Sequence, residues 1–250
     1  MSLIENLYGP FFDLHNWETV ITSGKDWMII LSLILIECLL SVDNAIVLAA
    51  QTQKLPTKKE QEKSLFYGIW GAYLFRFLLI GVGSYLIHFW EIKVIGAAYL
   101  MYLAVKHFWV RAHPERAHQA AKKKNKKKPR ISLFWSVVLS IEAMDIVFSV
   151  DSILASLAIS PNPVIVLIGG LIGILAMRGV AEVIMRLLEI VPELEVVAYG
   201  LIALIAVKLF LTIPAIDIEI PAALFGAVVI LAIAGAIIAN RLKNNRSAKK

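Results

Sequence analysis

The sequence predicts an all-α, polytopic membrane protein of about seven transmembrane helices, arranged as a 3+3 inverted repeat with one extra C-terminal helix. Three observations predict it. The 250-residue chain is 59% apolar and 18% charged, with a mean hydropathy of +0.74, whereas a soluble domain is about 45–50% apolar and about 25% charged. The apolar residues fall in runs of roughly 18 to 29, long enough to span a bilayer. An acidic motif also occurs twice, 108 residues apart.

Taken in chain order, residues 1–26 mix Glu5, Asp13, Glu18 and Asp26 with aromatics. They lack the basic start and small-residue cleavage site of a signal peptide and read as a short external segment. Seven spans follow, at about 27–50, 64–89, 94–110, 131–159, 164–188, 196–213 and 221–240. Residues 27–110 form the first three-helix repeat, 111–130 a basic linker, 131–213 the second repeat, and 214–250 the seventh helix with a basic tail. Trp27, Tyr67, Trp90, Trp109 and Trp135 lie near span ends, as interfacial anchors do.

Orientation follows from lysine and arginine. The first loop carries Lys54, Lys58, Lys59 and Lys63, the linker runs from Arg111 to Arg130, and the tail carries Arg241, Lys243, Arg246, Lys249 and Lys250. All three belong in the cytoplasm. Seven spans satisfy this with the N-terminus outside and the C-terminus inside. The Asp217/Glu219 loop then lies outside and Glu189, Glu193 and Glu195 inside, which the rule tolerates because acids contribute little to it.

The net charge is +6, but nine of the 25 basic residues lie within 111–130. That run sits between two spans without interleaved aromatics, so it reads as a topological signal that also attracts anionic lipid, and no nucleic acid is expected as a partner. The only cysteine, Cys38, lies inside an apolar run, which leaves no disulfide framework and no cysteine-based zinc site.

The doubled motif is the strongest signal. Ser41-Val42-Asp43-Asn44 matches Ser149-Val150-Asp151-Ser152, and the same offset sets Glu37 on Asp145. Gly68, Gly71 and Arg76 match Gly170, Gly173 and Arg178 at an offset of 102, as Ala104-Val105-Lys106-His107-Phe108 matches Ala206-Val207-Lys208-Leu209-Phe210. Matches in chain order, one per span, mark a duplication. A unit with an odd number of spans is inverted relative to its copy, the architecture of many secondary transporters, whose site lies at the repeat interface.

Five acids lie within the first and fourth spans: Glu37, Asp43, Glu142, Asp145 and Asp151. Each costs roughly 2.5–3.5 kcal/mol to bury at a helix centre. Arg76 and Arg178, read as structural counter-ions, leave 2 − 5 = −3. One divalent cation with a shared proton would neutralise that, so a cation site is expected, with proton coupling open. Glu37, Ser41 and Asn44 share a helix face, as do Asp145, Ser149 and Ser152. Asp43 and Asp151 stand about 240° away from the first acids, so they join the same site through an unwound helix or form a second one. The donors are all hard oxygen, which suits Mg²⁺, Ca²⁺ or Mn²⁺.

The paired patterns around Glu37 and Asp145, with Glu142 upstream, resemble the TerC family of bacterial integral membrane proteins over nearly the whole chain. The resemblance implies a multi-pass protein of the bacterial plasma membrane and export of Mn²⁺ as the transported or bound ion. It selects Glu37, Asp43, Asn44, Asp145 and Asp151 as metal ligands first, with Ser41, Glu142, Ser149 and Ser152 behind them.

Blander roles are expected elsewhere. The glycine pairs let helices approach closely, Arg178 has Glu182 one turn on, and Lys106 and Lys208 snorkel to the interface. His88, His107, His113 and His118 are interfacial or loop residues without ligand spacing. No enzymatic activity and no catalytic or cofactor-binding residue is expected. Two alternatives remain: a non-transporting membrane partner in metal homeostasis or exoprotein metalation, and an intramembrane aspartyl protease using Asp43 and Asp151. The latter lacks the Gly-x-Gly-Asp motif.

Overall fold

A computed structural model describes residues 3–82, 90–115, 131–191, 193–218 and 220–247. The end of the second expected span, His88, the linker from 116 to 130 with His118, Glu219, Lys249 and Lys250 lie outside the described residues.

Among the described residues the structure is helical and contains no strand. The helices are α1 (Leu3–Phe12), α2 (Leu14–Thr22), α3 (Gly24–Leu40), α4 (Val42–Thr52), α5 (Lys58–Gly81), α6 (Trp90–Ala112), α7 (Leu133–Ile159), α8 (Pro163–Ile190), α9 (Glu193–Leu211) and α10 (Ala222–Ser247). Short polar side chains start several of them by accepting an otherwise unpaired backbone N–H. Asp13 caps α2, Ser23 caps α3, Thr57 caps α5, Ser132 caps α7, and Asn162 caps α8 ahead of Pro163. Thr57 also donates its hydroxyl to Glu60 Oε2 at 3.2 Å.

Five helical stretches are long and apolar enough to cross a membrane: Lys58–Gly81, Leu133–Ile159, Pro163–Ile190, Glu193–Leu211 and Ala223–Leu242. A sixth is added if α2 and α3, bent by 86°, count as one broken span. Helix α6 has 23 residues, long enough by reach, but it carries Glu91, Lys93, Lys106 and Arg111 and is not among the five. Residues 3–12 and 14–22 of the expected external segment are helical, and they are tied to the bundle. The Tyr8 hydroxyl donates to Leu78 O at 2.9 Å, and Asn162 Nδ2 donates to Asn16 Oδ1 at 2.8 Å.

Helix α8 is the central element, packed on α3, α4 and α5, while α5 lies on α7 and α6 on α9. Its apolar window is 61% buried, against 11% for α10 at the periphery. Outward faces are apolar. Met28, Leu31, Leu35 and Leu39 on α3, and Phe66, Trp70, Leu74 and Leu78 on α5, are all exposed at helical spacing. Such patches would drive association of a soluble monomer and suit contact with lipid.

Helices α3 and α4 are separated by a single residue, Ser41, at φ −99° and ψ 10°. Neither glycine nor proline is present. The Ser41 hydroxyl donates to Glu37 Oε1 at 3.4 Å, and its backbone N–H still bonds Glu37 O at 2.9 Å. The corresponding stretch of α7 runs unbroken through Ser149. Thus only one copy of the motif is interrupted.

Candidate functional site

The acids of the doubled motif and the cations that meet them form two groups. In the first, Arg76 from α5 grips Glu37 from α3 in a bidentate pair, with Nη1–Oε1 at 2.8 Å and Nη2–Oε2 at 2.9 Å. Arg76 is 1% exposed, and its Nη1 also donates to Ser152 Oγ at 3.3 Å. Planar guanidinium matches planar carboxylate, which gives such pairs direction as well as charge neutrality. Arg178 from α8 holds Asp145 from α7 through one contact, Nη2–Oδ2 at 2.7 Å. Its Nε and Nη1 are buried without a hydrogen-bond partner, as are both carboxylate oxygens of nearby Glu142. Arg178 thus pairs with Asp145 and not with Glu182.

Glycines make these pairs fit. A methyl group at Gly170 would overlap the Arg76 guanidinium, and one at Gly173 would overlap Glu37. On the other side, Gly68 faces the Arg178 guanidinium, and a methyl at Gly71 would overlap the Glu142 carboxylate. The close approach expected of these glycines is therefore to charged side chains.

The second group surrounds a cavity of about 670 Å³ bordered by Ser41, Asp43, Asn44, Lys93, Asp151, Ser152 and Lys208. Lys208 Nζ lies 2.8 Å from Asp43 Oδ2, and Lys93 Nζ lies 2.5 Å from Asp151 Oδ1. The Asn44 backbone N–H donates to Asp43 Oδ1 at 3.2 Å. Asn44 Oδ1 is a buried acceptor without a hydrogen-bond partner. Ser41 and Ser152 touch both groups: each borders the cavity while bonding to the Glu37–Arg76 pair.

The structure thus divides the nine expected ligands. Asp43, Asn44, Asp151, Ser41 and Ser152 meet at the cavity; Glu37 and Asp145 are engaged by arginines; Glu142 sits against Gly71. Ser149 does not line the cavity, and its carbonyl accepts the Ser152 hydroxyl at 3.3 Å. The helix is broken at Ser41, yet Glu37 and Asp43 still face different partners. Among the described residues, no three His, Cys, Asp or Glu side chains form a ready metal-binding group.

Two lysines change the charge count. Lys208, expected to snorkel, is 18% exposed at its side chain and bound to Asp43 instead. With Lys93 included, four cations face the five acids, and 4 − 5 = −1 replaces −3. Lys208 also lies over the Phe225 ring, 4.6 Å from its centroid. The sequence held a faint signal for Lys208, its place in the repeated Ala-Val-Lys segment; none marked Lys93 or Phe225. Lys106 stays apart, over Tyr102 at 5.5 Å, and His107 stacks on Tyr199 at 3.7 Å.

An all-α bundle with apolar outer faces and buried ion pairs defines a polytopic integral membrane protein. Residues 22–249 match the integral membrane protein TerC family, and the chain belongs to it. It is 43% identical over 247 residues to the uncharacterized membrane protein YceF of Bacillus subtilis (strain 168), covering 99% of this chain and 95% of YceF. Over 199 residues it is 35% identical to the uncharacterized membrane protein YkoY of the same organism, covering 73% of this chain and 59% of YkoY. The inner membrane protein YgdQ of Escherichia coli (strain K12) is 25% identical over 208 residues, covering 80% of this chain and 86% of YgdQ. No solved structure matches the chain.

Proposed function

We propose that the protein is a transporter, not an enzyme, that exports a divalent metal cation, Mn²⁺ foremost, across the bacterial plasma membrane. One observation carries this reading. Asp43 and Asp151, equivalent residues of the two motif copies and 108 positions apart, border the same cavity. Ser41, Ser152 and the unpartnered Asn44 Oδ1 supplement them with neutral oxygens. Carboxylate, hydroxyl and amide oxygens are the donors that hard divalent ions prefer, and water can complete the shell of an ion held by few carboxylates. An inverted repeat of spans with the N-terminus outside and the C-terminus in the cytoplasm accommodates a site between the two copies.

The arginine pairs act as the frame. They neutralise Glu37 and Asp145 within the bundle, leaving Asp43 and Asp151 as the carboxylates that face open space. The same geometry speaks against a protease, whose two carboxylates must share a proton, because each aspartate here holds its own lysine.

Purified protein in liposomes should move Mn²⁺ down a gradient with saturable kinetics. Asp151→Asn should remove most of that flux while leaving membrane insertion intact, since neutralising an intramembrane acid lowers its burial cost. Wild-type protein that inserts but passes no Mn²⁺, Ca²⁺ or Mg²⁺ would contradict the proposal.

A further inference from the structure

We infer that Lys208 is a tethered competitor for the transported cation: its ammonium, paired with Asp43, yields to the incoming ion and returns to expel it. This rests on the transport reading above and adds a residue that sets affinity and turnover. The four charged side chains of the cavity, Asp43, Asp151, Lys93 and Lys208, sum to 2 − 2 = 0. A divalent ion that entered with both ammonium groups in place would meet no net attraction. It must therefore displace at least one of them.

Burial sets the two exchanges apart. The Asp43 side chain is 8% exposed and that of Asp151 is 44% exposed. Water can shield Asp151 when Lys93 moves away, but Asp43 has no such substitute. Its Oδ2 is taken by Lys208 and its Oδ1 by the Asn44 N–H. A buried carboxylate stripped of its cation is costly, so cation and lysine must exchange at Asp43 with little interval between them. Lys208 is built for this. Its charge sits on a flexible four-carbon stem, and the Phe225 face, 4.6 Å away, gives the displaced ammonium a second contact by cation–π attraction. Phe225 lies on α10, outside both repeats, which gives the seventh expected span a role at the site.

The test uses full-length protein, Mn²⁺ as the probe, equilibrium binding in detergent and flux in liposomes. Lys208→Gln keeps an N–H donor for Asp43 but removes the competing charge. It should bind Mn²⁺ about tenfold more tightly, a change within the range of typical coupling between sites, and should show lower maximal flux. Lys208→Arg should retain the weaker affinity. In Lys208→Ala, added ethylammonium should restore weaker Mn²⁺ binding, with no such effect on the wild type, a response that a purely structural role would not give. Unchanged or weaker Mn²⁺ affinity in Lys208→Gln, or no ethylammonium effect in Lys208→Ala, would overturn the inference while wild-type binding and flux left the transport reading standing. Absence of saturable Mn²⁺ binding by the wild type would overturn both.

Discussion

The Arg76 guanidinium occupies the space that a Cβ at residue 170 would fill. Arg76 is itself locked to Glu37 by two hydrogen bonds, so it has little freedom to move aside. Gly170→Ala should therefore cost about 1–3 kcal/mol, the usual range for overpacking a close-packed interior. Gly173→Ala should behave alike through Glu37. Gly179 lies in the same helix with nothing near its missing Cβ, and Gly179→Ala should leave stability equal or slightly higher. Thermal unfolding of the three variants in one detergent checks the contrast.

The two arginines should differ in weight. Arg76 makes two contacts to Glu37 and one to Ser152, whereas Arg178 makes one to Asp145. Breaking a buried pair from one side costs about 3–5 kcal/mol, and Arg76→Met should lie at the upper end, with Arg178→Met milder. Adding Glu37→Gln to Arg76→Met should recover part of the loss, because the stranded charge is gone. A double-mutant cycle on melting temperature measures it; strictly additive losses would show that the pair is not energetically coupled.

Much of this was legible in the sequence, and the remainder has physical reasons for being hidden. Hydropathy is a local property, so the long apolar helices and the doubled acids could be read directly. Partnership across the bundle is not local: Lys208 meets Asp43 from 165 residues away, and an isolated lysine near a helix end reads equally well as snorkelling. The break at Ser41 carries no glycine or proline to announce it. Packing glycines were recognisable by spacing, but that they face Arg76, Glu37, Arg178 and Glu142 depends on which helices become neighbours.

Orientation is open to chemical labelling. In a Cys38→Ser background, Glu18→Cys on the exposed face of α2 should react with an impermeant reagent from the outside. Asn125→Cys, in the basic linker, should react from the cytoplasmic side alone. Both sites labelling from one face would exclude an odd number of crossings between them.

The most direct test of a shared cation site is the stoichiometry of bound Mn²⁺, read by electron paramagnetic resonance titration of the detergent-solubilised protein. The wild type should bind one competitively displaceable Mn²⁺ per chain, and Asp43→Asn and Asp151→Asn should each abolish it, because one ion needs both carboxylates. Wild-type stoichiometry and affinity in the double Asp43→Asn/Asp151→Asn protein would contradict the site, and so would two ions in the wild type with one lost in each single variant.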